Sequence, residues 1–430
     1  MMGLLSRKVL YRMYPTPAQE SALLAMLGAH QQLYNTALAQ RISVWQRAHE
    51  KRIGFADQCR DLTELRADDE TYATLNAQSA QVTLKRLELA FTAFFRRCKS
   101  GKTPGFPRYK SFDRYSGWGY KAHGDGYRFT SGDGNQHGTL RLSGVGNVKL
   151  RGRARTSGEV TTCEIQRKAG RWYASVTVRC IPKRTGGAGA IGHDWGISTF
   201  ATYAYEDGSF EEVANPRFFS KHQAAIARAQ RTLEAVTVKD AIGRPTNAKD
   251  PRRRAARVAL GRAKGREANA RKDFLHQTSA REVAENALIV TEKLAIRNLT
   301  RSAKGTIRNP GRNVAQKSGL NREILATSPA TYNAMRRYKA EEAGSWYIET
   351  PTQTLKPTQR CSGCWELPRQ RKALADRMHQ CEQCGLTLGR DRNAARVNLA
   401  WAFTMLSAAF SLLGQELAGN AIPEVLNWAA

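Results

Sequence analysis

Two Cys-x2-Cys pairs, Cys361–Cys364 and Cys381–Cys384, stand sixteen residues apart and run almost directly into GRDRNAARVNL (389–399). Each pair makes a tight knuckle that aims two thiolates at one ion. Two knuckles complete a tetrahedron, a closed arrangement that leaves no position for water and marks a structural Zn²⁺. Asp391 lies only seven positions beyond Cys384, at the start of a predicted helix. His379 is near the thiols but is not needed as a ligand and reads as a surface residue. Cys59, Cys98, Cys163 and Cys180 have no metal spacing and read as ordinary reduced thiols. In a long basic chain without an export signal, the paired cysteines read as metal ligands rather than disulfides.

The 430 residues allow two to four domains. Lys and Arg total 68 against 37 Asp and Glu, a net charge of +31. Such a field attracts polyanions, and nucleic acid is the simplest partner. A membrane surface is the weaker alternative, because no apolar run reaches about 18 residues. The apolar part of MMGLLSRKVLYRMYP is too short for a secretory signal, so a cytoplasmic, nucleoid-associated location is expected.

Along the chain, LSRKVLYRMY (5–14) alternates as a strand and helical patterns dominate from about 18 to 97. Within 79–97, Val82, Leu87, Phe91, Phe94 and Phe95 form one stripe, expected to be helix core. GKTPGFPRYKS (101–111) is a basic loop. Residues 115–180 alternate as short strands, with a hairpin closed at Ala169-Gly170. A match to G-x-G-x-x-G at Gly187, Gly189 and Gly192 opens onto a strand rather than a helix, which argues against a dinucleotide site. Residues 190–210 read as strand, turn, strand, and 218–285 as basic helices. ALIVTEKL (287–294) is a short buried strand, 301–328 a mobile loop, 329–343 a helix and 345–351 a strand. The cysteine module and a helix through about 412 follow.

Three acids stand out. Asp194 lies mid-strand in an apolar run, Glu292 near the end of another apolar strand, and Asp391 opens a helix. An acid in such a strand is costly unless paired or bound to metal. Together the three match the metal site of an RNase H-like fold. There, two Mg²⁺ ions (Mn²⁺ is the alternative) activate water and stabilise the leaving oxygen of a phosphodiester. Hard cations suit the carboxylates, while the thiolates suit zinc.

The chain resembles the TnpB family of transposon-encoded RNA-guided nucleases, relatives of compact type V CRISPR nucleases. KVLYRMYPTPAQE, LYNTALAQ, GFPRYKS and GRWYASVTV follow in family order. IGHDWGIS, IVTEKLAIRNL and the D-x-N-A-A segment resemble the three RuvC motifs, and ETPTQTLKPTQRCSGC leads into the zinc ribbon. The resemblance implies a multidomain α+β and α/β fold. A β-barrel-like wedge domain carries a helical recognition insertion, and an RNase H-like RuvC nuclease domain carries an inserted zinc ribbon. The implied boundaries are 1–15 (first wedge strand), 16–114 (helical recognition domain), 115–184 (wedge), 185–357 (RuvC, with a basic helical insertion at about 218–285), 358–386 (ribbon), 387–412 (final RuvC helix) and 413–430 (tail).

The resemblance further implies catalytic Asp194, Glu292 and Asp391, a guide RNA, a double-stranded DNA target beside a short transposon-adjacent motif, and a monomer or a dimer on RNA. Candidate nucleic-acid contacts are Tyr34, Asn35, Gln78 and Gln81 for the motif or phosphates, and Lys102, Arg108 and Lys110 for phosphates. Arg252, Arg253, Arg254, Arg257, Arg271 and Lys272 are candidates in a run with nine basic residues and one acid, Glu267, between 252 and 272. His193, Trp195 and Gly389 depart from the family pattern but remove no carboxylate. Alternatives are a nuclease-inactive RNA-guided DNA-binding regulator and a guide-independent, structure-specific RuvC-like nuclease.

Overall fold

The alternation of LSRKVLYRMY becomes β1 (Leu5–Tyr14), with Tyr11 and Met13 turned into the core. The computed structural model describes residues 5–47, 53–132, 136–154, 157–181, 184–243, 245–246, 250–373 and 375–412. The tail expected at 413–430 lies outside them. The chain divides into two units, Met1–Pro182 and Lys183–Ala430.

In the first unit, helices α1 (Pro17–Arg47), α2 (Phe55–Asp68), α3 (Glu70–Ala73) and α4 (Ala77–Lys99) follow β1. Asn76 caps α4 by accepting the Ser79 N–H at 3.1 Å, satisfying a donor the helix leaves free. Then come β2 (Gly117–Tyr120), β3 (Tyr127–Ser131), β4 (Gln136–Leu142), β5 (Gly146–Arg153), β6 (Glu159–Lys168) and β7 (Arg171–Cys180). They form one antiparallel sheet in the order β2-β6-β7-β1-β5-β4-β3. The first strand therefore sits at the centre of a sheet whose other strands come after the helices. Ala169 (φ 48°) and Gly170 (φ 70°) both adopt the left-handed backbone that a two-residue hairpin turn demands. The edge strands β2 and β3 meet through Tyr120 and Tyr127, ring centroids 5.4 Å apart, so the sheet curls into a barrel-like form. Trp118, Leu140, Val148, Ile165 and Trp172 fill its interior.

The aromatic stripe of α4 differs from the expectation. Leu87 is fully buried, but Phe95 is 46% exposed and Phe91 and Phe94 are half-buried. Phe91 and Phe94 pack edge-on against Phe106 of the basic loop, at 5.6 and 5.3 Å. Phe91 still packs on the edge of the core, while Phe94 and Phe95 lie beyond it, so the last turns of the helix cover the loop as well as the core.

In the second unit, β8 (Gly189–Trp195), β9 (Thr199–Tyr205) and β10 (Phe210–Ala214) lead to α5 (Phe218–Ala235) and α6 (Pro251–Glu285). β11 (Asn286–Glu292), α7 (Ile296–Leu299), α8 (Val314–Thr327), α9 (Pro329–Ala343), β12 (Trp346–Thr350) and α10 (Thr352–Leu355) follow. The unit continues through β13 (Met378–Gln380) and β14 (Thr387–Gly389) to α11 (Arg390–Leu412). The main sheet has the order β10-β9-β8-β11-β12, with β8, β11 and β12 parallel. One face packs Leu288, Val290 and Ala190 against Leu399, Ala402 and Phe403 of α11. The other packs Ile191, Ile289 and Tyr203 against α6 and α9.

Half of the loop expected at 301–328 is helix α8: its Ser, Gly and Asn drew attention from the helix formers of NREILAT, and only Ile324 and Thr327 are buried. The third strand, β10, went unpredicted because its burial is slight.

Gly192 permits α11 to lie directly on β8. A Cβ there would stand 2.1 Å from the Ala395 carbonyl oxygen and 2.7 Å from the Leu399 Cβ. Gly187 is likewise pressed on the Glu285 backbone, at 2.1 Å, so the glycine pattern serves chain packing. Gly192→Ala is expected to lower stability by at least about 1–3 kcal/mol, because rigid backbone must move. Thermal unfolding measures this; an unchanged melting temperature would show that α11 shifts freely.

Candidate metal centre

β8 and β11 are parallel and in register, Thr291 beside His193 and Val290 beside Gly192. Side chains alternate along a strand. Residues 190, 192 and 194 of β8 and 288, 290 and 292 of β11 therefore share the face covered by α11. Asp194 and Glu292 emerge together at the carboxyl ends of adjacent strands. Asp391 stands in the first turn of α11, where the helix dipole favours an anion.

Asp194 is 6% exposed, and its carboxyl is held well above the usual range. Burial is the main cause, followed by the charges of Glu292 and Asp391, with Arg390 opposing. Burial likewise pushes Glu292 up to about 7. Asp391 is less enclosed and has the Arg390 Nε 3.6 Å from its Oδ1. Like charges beside a buried carboxyl disfavour its ionised form unless a cation joins them.

His193 and Trp195 flank Asp194 without joining it. His193 points to the opposite face, where Nδ1 lies 3.0 Å from the Thr291 hydroxyl and the ring packs near Tyr203 and Tyr332. Burial lowers its pKa well below the ordinary value, so it is a neutral packing group there. Behind it, Glu282 accepts from both Tyr203 and Tyr332, and Arg336 donates to Thr291 at 3.2 Å.

The second cluster is the cysteine module. The sulfurs of Cys361, Cys364, Cys381 and Cys384 all lie within 4.8 Å of one another. The gaps Cys361–Cys384 and Cys364–Cys381 are 3.7 and 3.4 Å. A tetrahedral ion with metal–sulfur bonds of about 2.3 Å sets its sulfurs about 3.8 Å apart. The cluster can thus hold a structural metal such as zinc. Among the described residues it is the set that meets this spacing. His379 is 1% exposed rather than on the surface. Its Nδ1 faces the Lys372 amino group, and burial and that charge lower it to about 4.

Asn393 ties the module to α11. Fully buried, it accepts the Ser362 N–H at 3.0 Å, between the first two cysteines, and donates to the Arg360 carbonyl at 2.7 Å. Arg390 adds its N–H to the Arg377 carbonyl at 2.8 Å and its guanidinium to the Asp376 carbonyl at 3.0 Å. Asn393 was not singled out from sequence, where a polar residue in a helix reads as surface.

The nucleic-acid candidates divide. Tyr34 is 5% exposed and packs against Tyr115, so it is core. The Asn35 amide is used on both sides of Lys110, accepting its N–H and donating to its carbonyl, each at 2.9 Å. These two residues hold the basic loop rather than present a reading edge. Gln78 is half-buried, and Gln81 accepts from Lys121 at 2.6 Å. Lys102, Arg108 and Lys110 are exposed, with Tyr109 beside them at 57%. On α6, Arg252, Arg254, Arg257 and Lys272 are exposed. Arg253 donates to the Thr246 carbonyl at 2.5 Å, and Arg271 pairs with the buried Glu267 at 2.5 Å. Among the described residues no helix is long and apolar enough to cross a membrane.

Three family models match parts of the chain: "Probable transposase" at 172–303, "Cas12f1-like, TNB domain" at 331–398 and "Helix-turn-helix domain" at 1–51. The first spans Asp194 and Glu292, the second the four cysteines and Asp391. The third falls on a strand and one continuous helix in this chain. A protein of Escherichia coli (strain K12) named "Putative RNA-guided DNA endonuclease InsQ" is 28% identical over 404 residues, covering 92% of each chain. A "Putative RNA-guided DNA endonuclease" of Streptomyces pristinaespiralis is 28% identical, covering 93% of this chain and 90% of that one. Among solved structures, the Cas12f1–sgRNA–target DNA complex shares the fold, with a TM-score of 0.54 and 12% identity over 92% of this chain and 99% of that one. These matches together make the chain similar to OrfB_IS605-type, TnpB-like proteins.

Proposed function

We propose that this chain is an RNA-guided DNA endonuclease of transposon origin, cutting its target next to a short adjacent motif by metal-dependent phosphodiester hydrolysis. The carrying observation is the convergence of Asp194, Glu292 and Asp391 from two parallel strand ends and one helix start. Relatives matched over nine-tenths of the chain and named RNA-guided DNA endonucleases support it.

The acids fit Mg²⁺, or Mn²⁺ in its place: they are hard oxygen donors, and Asp194 feels the charges of both of the others. When bound, a pair of such ions supplies an activated water and stabilises the leaving oxygen. Asp194 from β8, Glu292 from β11 and Asp391 from α11 would hold the ions. The thiol spacing fits Zn²⁺ as a structural ion. The exposed bases of α6 and of the 101–111 loop are suited to phosphate contact, with guide RNA and duplex DNA as the partners. Retention of all three acids favours an active nuclease over a binding regulator.

The purified protein is expected to carry one discrete RNA and to cut, in Mg²⁺, only duplexes matching that RNA. Sequencing the bound RNA and assaying matched and mismatched targets tests this. Random RNA fragments, or equal cutting of branched DNA by RNA-free protein, would overturn the guided reading.

A further inference from the structure

We infer that Asn398 is a positioning residue that fixes the spacing of the three carboxylates. It would act through the peptide framework beside them, not by touching metal or substrate. The inference rests on the metal-site reading above.

Asn398 is fully buried in the middle of α11. Asparagine is a mediocre helix former, and a buried amide is costly unless both ends are bonded. Both ends are bonded here, and each reaches a different strand. Nδ2 donates to the His193 carbonyl at 3.1 Å, and that carbonyl belongs to the peptide unit leading into Asp194. Oδ1 accepts from the Thr350 hydroxyl at 2.8 Å. Thr350 is itself buried, and in the β11–β12 register it is the partner of Glu292. Its hydroxyl also stands 3.4 Å from the Thr291 carbonyl, in the peptide unit leading into Glu292. Asn398 lies seven residues after Asp391, two turns along the same helix and on the same face. One amide thus spans the helix of the third acid and the backbone beside the other two. Gly192 brings α11 close enough for this reach.

A packing role alone would make the site tolerant of any substitution that kept the fold. A positioning role makes the hydroxyl of Thr350 and the amide of Asn398 matter for metal affinity itself. The test uses the full-length chain as purified and Mn²⁺ binding followed by electron paramagnetic resonance, alongside cleavage, RNA content and zinc content. Asn398→Ala and Thr350→Val are expected to weaken Mn²⁺ binding and cleavage about 10–100-fold, as loss of outer-shell partners does, with RNA and zinc unchanged. Thr350→Ser, which keeps the hydroxyl, is expected to stay near wild type. If Asn398→Ala does not fold, the two Thr350 variants decide. Wild-type Mn²⁺ affinity in Thr350→Val, or equal loss in Thr350→Ser, would overturn the inference. Asp194→Asn run in parallel separates the failures. Normal cutting by that variant would remove the metal-site reading itself; a dead Asp194→Asn with a normal Thr350→Val would remove only the role of Asn398.

Discussion

Asp194→Asn and Glu292→Gln are each expected to reduce target cleavage by on the order of 10³-fold or more while leaving guide and target binding intact. Both substitutions keep side-chain shape and remove only the charge that would hold the cations. The stability change should run the other way. Asp194 is buried among like charges, so its ionised form is disfavoured in the folded chain. A group whose folded pKa is raised destabilises the fold once pH exceeds its unfolded value. Removing that charge is therefore expected to leave the metal-free melting temperature equal or higher. A dead enzyme with an undamaged fold is the pattern of a site maintained for chemistry at some cost in stability. Cleavage at the wild-type rate by either variant would dismiss the assignment, and a dead variant that had also unfolded would not support it. Measuring cleavage, target binding and melting temperature on the same preparations distinguishes these outcomes.

What was legible in the sequence follows from what each residue must avoid. An acid within an apolar strand violates patterning, so Asp194 and Glu292 stood out before any contact was known. Paired cysteines carry their geometry in their spacing. Asn393 and Asn398 violate nothing visible locally, since an asparagine in a helix reads as an exposed polar residue. Their meaning comes from partners far along the chain, Ser362 for one and His193 for the other. The same blindness misplaced Tyr34 and Asn35, whose helix face meets Tyr115 and the backbone of Lys110. Gly192 matched a nucleotide-binding spacing that its strand context argued against, and what approaches it, α11, is not visible in a glycine alone.

Removal of zinc is expected to disable cleavage without touching a carboxylate. Among its described residues, the module between Pro357 and Gly389 has almost no apolar core. Leu367 is 38% exposed and Met378 53%, while the buried groups are Cys361, Ser362 and His379. Its hairpin of β13 and β14 holds three residue pairs. Such a segment would depend on a bound ion, and structural zinc is worth about 10–16 kcal/mol in small modules of this kind. The consequence passes into α11 because β14 leads straight into it and Asn393 bonds the knuckle at Ser362. With the ion gone, the first turn of α11 loses its anchor, and Asp391 leaves the position that Asp194 and Glu292 require. Cys361→Ser with Cys381→Ser, or chelation of the purified protein, is expected to lower zinc from about one ion per chain toward none. Hydrogen exchange should rise across 357–393, and the seven-stranded sheet of the first unit should be unaffected. Cleavage should fall with the zinc and return when it is restored to chelated protein. Zinc well below one per chain in active protein would break this chain of cause, as would serine variants that cut normally, because Asp391 would then hold its place without the module beside it.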